Sequence, residues 1–167
     1  MEKQYYIIEL QLDNQIKYLI WVLDEVDGLV TDPATEELRL LTFSEKDDLL
    51  GFAQKNGLVI EEDEPAKYDF DIIEIWIKNP TGFIDCKEFL NAWNLFTDVV
   101  TTLRIEFEGN KKEKVRSRIY DKLFFGNNIP AITPEGQEYT PEWTDKEIAR
   151  VAEIMKEGLT ILRKSFQ

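Results

Sequence analysis

The stretch QYYIIELQLDNQIKYLIWVL, residues 4–23, decides the fold. Tyr6, Ile8, Leu10 and Leu12 alternate with Tyr5, Ile7, Glu9 and Gln11, and Ile16, Tyr18, Ile20 and Val22 repeat the two-residue period. Aromatic and β-branched side chains at that spacing suit a pleated strand, whose successive side chains point to opposite faces. Asp13 and Asn14 between the runs tolerate left-handed backbone, so the expected connection is a hairpin.

Working outward, a loop around Asp27-Gly28 and Asp32-Pro33 leads to residues 38–43, which read as a third strand. Ser44 and Asp47 are spaced as a capping box for a helix with Leu49, Leu50, Phe52 and Ala53 on its apolar face, closed by Asn56-Gly57. Residues 58–60 supply a further short strand, giving the order β-β-β-α-β.

Helical periodicity takes over from there. Asp69 or Asp71 can cap a short helix carrying Phe70, Ile73, Trp76 and Ile77. Asp85 with Glu88 starts a longer one, on which Phe89, Trp93, Phe96, Val100 and Leu103 form one buried stripe while Asn91, Asn94, Asp98 and Thr101 lie toward the other side. Residues 110–125 read as a helix with Val115, Ile119 and Leu123 inside. Thr144 and Glu147 open a terminal helix through Ile148, Val151, Met155, Leu159 and Leu162, weakened at Gly158 by about 1 kcal/mol relative to Ala. Between these two helices, residues 126–143 hold Pro130, Pro134, Pro141 and Gly136 together with Ile129, Ile132, Tyr139 and Trp143. That mixture predicts a long ordered loop strapped onto the body.

The expectation is therefore an α+β fold, with a small, mainly antiparallel sheet of three to four N-terminal strands packed with about five helices. One domain, residues 1–167, is expected, strand-rich over 1–61 and helical over 69–167. The chain is 43% hydrophobic, an ordinary share for a folded domain, and at this length folding removes roughly 70% of the unfolded surface from water.

Charge and missing residue types then narrow the function. Asp and Glu number 33 against 20 Lys and Arg, a net charge of −13. Nucleic-acid backbones and anionic membrane surfaces both need cations, so neither is an expected partner, whereas a basic protein is electrostatically favoured. Solubility alone is the plain alternative. The surplus is uneven: residues 1–103 carry 8 Lys and Arg against 22 Asp and Glu, and residues 104–167 carry 12 against 11. Lys111, Lys112, Lys114, Arg116 and Arg118 crowd one helix, and the expected role for that stretch is intramolecular pairing with the acidic half.

Histidine is absent, which removes Ser-His-Asp and Cys-His catalysis and His-ligated zinc. The only cysteine, Cys86, lies beside an expected helix start and cannot form an intramolecular disulfide, which points to a reducing compartment. No glycine pattern resembles a phosphate loop, and no cofactor is expected. The first residues soon meet Glu9 and Asp13, too charged for a signal peptide or membrane helix, so the expected location is the cytoplasm. The most enzyme-like group is Asp69-x-Asp71-x-x-Glu74, carboxylates of the kind that bind Mg²⁺. Residues two apart on a helix point to different sides, however, and acids at a helix start serve as caps.

Two acidic runs remain as binding candidates: Asp24, Glu25 and Asp27 after the strand that holds Trp21, and Glu61, Glu62, Asp63 and Glu64 after the last short strand. Four consecutive carboxylates cannot all be buried and must occupy an exposed loop. Tyr139 and Trp143 are candidate interface anchors, since these side chains are enriched at binding hot spots, or else they pin the strap.

LNAWNLFTDV, residues 90–99, and YDKLFFGNNIPAITPEGQEYTPEW, residues 120–143, resemble segments of small acidic bacterial proteins encoded in polymorphic toxin–immunity loci. The resemblance implies a non-enzymatic immunity protein that binds and blocks a cognate toxin, often a basic nuclease, inside the producing cell. It carries over no individual functional residue. A carboxylate-dependent metal enzyme using Asp69, Asp71 and Glu74, and a scaffold protein that self-associates through the strap, are the alternatives.

Overall fold

The computed structural model describes residues 2–166. Strands β1 (Gln4–Leu12), β2 (Gln15–Leu23) and β3 (Gly28–Leu29) precede helix α1 (Lys46–Lys55), strand β4 (Ala66–Asp69) and helices α2 (Phe70–Lys78), α3 (Cys86–Leu103), α4 (Lys114–Phe125) and α5 (Asp145–Ser165). The sheet order is β3-β2-β1-β4, antiparallel except for the parallel β1–β4 pair. The fold is α+β, with a helical C-terminal half.

The hairpin forms as its sequence dictates, and Asp13 and Asn14 both take positive φ, near 54° and 57°. Its alternation serves two cores. Ile7 and Ile20 are buried with Leu49 of α1 on one face, while Ile8, Leu10, Leu12 and Leu19 join Phe70, Phe89, Phe96, Met155 and Leu159 on the other. Burying each such large apolar side chain contributes about 1.5–3 kcal/mol. Helices thus cover both sides of the sheet.

Several local expectations are corrected. Residues 38–43 run extended but form no strand: Leu40 bridges Thr31, Phe43 bridges Tyr18, and the third strand is Gly28–Leu29. The segment divides its pairing between two neighbours: around Leu40 it bonds residues 30–32, through Asp32 N–H to the Arg39 carbonyl at 2.8 Å and Leu41 N–H to the Val30 carbonyl at 3.0 Å, whereas Phe43 exchanges bonds with Tyr18, so no continuous ladder forms. Residues 58–60 touch the sheet only where Ile60 bridges Tyr5, because Val59 faces solvent. The fourth strand comes later, at Ala66–Asp69. Ser44 is not the cap: the chain bends after the Phe43 bridge and the helix starts one residue later, with Glu45 as an extended N-cap without a side-chain bond. Helix α4 begins at Lys114 rather than at residue 110. The preceding Glu108–Asn110 turn is held on α3 by the Trp93 indole, which donates to the Gly109 carbonyl at 3.2 Å.

Helix α3 is buried on more than one stripe, with Leu90, Ala92, Leu95 and Val99 covered as well as Phe89, Trp93, Phe96 and Val100. Gly158 is the reason α5 approaches it closely. A Cβ there would stand 2.1 Å from the Phe96 ring, so the helix weakness is the condition for α3–α5 packing. Thr144 and Glu147 form the expected capping box.

Where the basic stretch is paired, its partners lie in its own half of the chain and not in the acidic half, and among the described residues Lys112, Lys114 and Arg116 have no ion pair. Lys111 pairs with Glu108, Arg118 and Lys122 pair with Glu147, and Arg150 binds Glu108, Glu113 and Glu153. Across the strand-rich half the ion pairs are few: Lys3–Asp24, Arg39–Glu37 and Arg163 with Asp13 and Glu74. Its surplus of carboxylates is left facing water.

Candidate binding site: an aromatic groove edged by carboxylates

Antiparallel register places the end of β2 opposite the start of β1, with Leu23 against Gln4 and Val22 against Tyr5. The run Asp24, Glu25, Asp27 therefore leaves the sheet at that end. The second acidic run arrives at the same place by another route. Ile60 bridges Tyr5 and the Glu61 N–H donates to the Tyr5 carbonyl at 2.8 Å, after which Ala66 pairs with Ile8. Residues 61–65 must arch over the β1 edge between those anchors. Two carboxylate runs separated by more than thirty residues meet at one end of the sheet.

Between them lies an aromatic groove. Tyr6 and Trp21 are cross-strand partners with ring centroids 5.6 Å apart. Tyr68 of β4 pairs with Leu10, on the face that Tyr6 and Ile8 share. Trp21 and Tyr68 line two adjoining cavities. One, of about 280 Å³, is completed by Tyr6, Ile7, Ile8, Ala66, Asp63 and Glu64. The other, of about 370 Å³, is completed by Asp27, Asn91, Asn94, Leu95, Thr97 and Asp98. Among the described residues, four carboxylates and no Lys or Arg line the pair.

Asp98, on α3, anchors the floor. Its Oδ2 accepts the Trp21 indole N–H at 2.9 Å. Burial pushes its carboxyl above the usual range, the indole bond opposes that, and the charge of Asp27 adds to it. Burial and the Asp98 charge likewise push the Tyr68 phenol up. A carboxylate held here by one neutral donor, with other acids around it, is short of a cation.

The remaining site candidates divide by task. Asp24 accepts from the Glu25 N–H at 2.8 Å and Asp27 from the Asp24 N–H at 3.4 Å, so both help close the loop, while Glu25 and Glu62 point to solvent. Glu61 is half-buried at the bridge. Tyr139 and Trp143 belong to the strap. Trp143 packs on the core beneath the Lys122 ammonium, and Asn128 clamps the Tyr139 backbone through both its amide atoms, at 2.7 and 3.0 Å. Tyr139 also faces a wider trough of about 850 Å³ along α4 with Lys112, Lys114, Arg118, Lys122 and Phe125. Arg118 and Lys122 are already bound there by Glu147.

Asp69, Asp71 and Glu74 do not converge. Asp69 caps α2 through the Asp71 and Ile72 N–H groups. Asp71 accepts from the Asp13 and Asn14 N–H groups at 2.7 and 3.0 Å and from Gln11 Nε2, holding the hairpin turn. Glu74 pairs with Arg163 at 3.2 Å. Among the described residues no three Cys, Asp or Glu side chains gather as metal ligands would. Burial pushes the Cys86 thiol up, which disfavours the thiolate. No described helix is long and apolar enough to cross a membrane.

Known protein families, curated proteins and solved structures provide no match to this chain.

Composition and spacing single out the acids of this groove but not its aromatics, Tyr6, Trp21 and Tyr68. One signal for Asp98 is present: Asn91, Asn94 and Asp98 recur at three and four residues on a helix otherwise rich in apolar side chains.

Proposed function

We propose that this protein is a non-enzymatic binding domain that captures a basic protein partner at the Trp21 groove. The observation that carries the reading is the convergence of the two acidic runs on one aromatic cavity pair lined by four carboxylates and no cation. Exposed salt bridges are individually worth only about 0–1 kcal/mol, so Tyr6, Trp21 and Tyr68 supply the apolar contact while charge governs approach and partner choice. The resemblance of residues 90–99 and 120–143 to immunity proteins makes a cognate toxin the partner of first choice, neutralised in the cytoplasm by masking its active site or nucleic-acid groove.

The test is affinity capture from cell extract at low and high salt, using the wild type and a Glu61/Glu62/Asp63/Glu64→Ala variant. A basic partner retained by the wild type, released by salt and bound more slowly by the variant supports the reading. A partner that associates with both at the same rate and the same salt dependence overturns it.

A further inference from the structure

Resting on that reading, we infer that the groove's occupant is an arginine side chain of the partner, stacked against Trp21 and Tyr68 with its guanidinium on Asp98. Three features of the groove select this group. Its lining includes Tyr6, Trp21 and Tyr68, and a guanidinium adds planar stacking to the cation–π attraction that an ammonium can also make with such rings. Its floor carboxylate uses Oδ2 for the indole, and among the described residues Oδ1 has no hydrogen-bond donor, so a forked donor finds an acceptor there. Asn91 and Asn94 line the same cavity, and Asn94 Oδ1 is itself fixed by the Tyr120 hydroxyl at 2.7 Å. Asp27 on one side and Asp63 and Glu64 on the other then surround the bound cation with negative charge.

The mechanism is one of anchoring. The free protein keeps Asp98 beneath Trp21 without a cationic partner, and the incoming guanidinium supplies it. Because Trp21 and Asp98 are already joined, no rearrangement of the site is needed before binding.

The Trp21 indole N–H is a built-in reporter, since it bonds Oδ2 of the carboxylate that would receive the guanidinium. ¹⁵N–¹H spectra of the full chain are titrated with N-acetyl-arginine amide, N-acetyl-lysine amide and N-acetyl-citrulline amide, with Trp21→Phe assigning the indole signal. The expected result is a saturable shift of the Trp21 signal with the arginine derivative, affinity roughly threefold or more weaker for lysine, and no response to citrulline. Asp98→Asn keeps an acceptor for the indole and is expected to lose the response with its spectrum otherwise intact. Equal affinity for lysine and arginine, or an undiminished response in Asp98→Asn, overturns the inference. Capture of a basic protein whose binding survives Asp98→Asn overturns the arginine anchor while leaving the basic-partner reading standing.

Discussion

Two carboxylates withdrawn from water, Glu147 and Asp98, are treated in opposite ways. Glu147 has no exposed surface and is saturated: Lys122 Nζ lies at 2.8 Å, Arg118 Nε at 3.0 Å, and the Thr144 N–H at 3.0 Å. Burial alone would raise its carboxyl, but Lys122, the Thr144 amide and Arg118 together outweigh burial and hold it at about 2. Asp98 has one neutral donor and is displaced the other way. The first arrangement ties α4 to α5 and completes a helix cap, so its charge is spent within the protein. The second leaves acceptor capacity at the mouth of a cavity, which is where an external cation is wanted.

The sharpest way to break this contrast is to remove Glu147. Glu147→Ala strands Arg118 and Lys122 beside the core and deletes the capping box, and a loss of about 2–4 kcal/mol in urea unfolding is expected. Acid sharpens the same point. A depressed folded-state value means the stabilisation from Glu147 is complete above its unfolded value near 4.5 and is lost as pH falls from there through about 2. Acid unfolding followed by circular dichroism should show this sensitivity, and Glu147→Gln should blunt it.

Smaller effects follow. Asp71→Ala removes an acceptor for two turn amides and for Gln11, and should cost about 1–2 kcal/mol and speed hydrogen exchange at Asp13 and Asn14. Asp98→Asn should behave oppositely to Glu147→Gln. A raised folded value means that the ionised group opposes folding at neutral pH and that this opposition is relieved as pH falls through the folded value. The substitution should therefore leave the urea midpoint unchanged or raise it by up to about 1 kcal/mol equivalent, while abolishing the arginine response. Smallest of all, Glu61/Glu62/Asp63/Glu64→Ala should shift stability by no more than about 0.5 kcal/mol, because Glu62, Asp63 and Glu64 are exposed and Glu61 is only half-buried.

The same pair of regions shows what could be read in advance. Thr144 and Glu147 announce their cap by spacing, and strands β1 and β2 and helices α2, α3 and α5 are legible because each repeats one period for several residues. Strand β4 is not, since Ala66-Lys67-Tyr68-Asp69 has no pattern of its own and becomes a strand only by parallel pairing with β1. The groove shares that difficulty. Its acids stand out as runs, but Tyr6, Trp21 and Tyr68 come from three strands, and only the register that aligns Tyr6 with Trp21 and Ala66 with Ile8 brings them together. Residues 38–43 mislead for the complementary reason, since an apolar segment was available but it pairs first with Thr31 and then with Tyr18, one residue at a time.

The turn at Asp13 and Asn14 is clasped from two sides, by Asp71 and by Arg163, whose guanidinium reaches Asp13 across 150 positions. During synthesis this hairpin leaves the ribosome 150 residues ahead of the arginine that clasps it. The strands can pair early, but the clasp is completed only once helix α5 has emerged, so a nascent chain stalled before Arg163 carries the groove's strands on a hairpin held from one side alone.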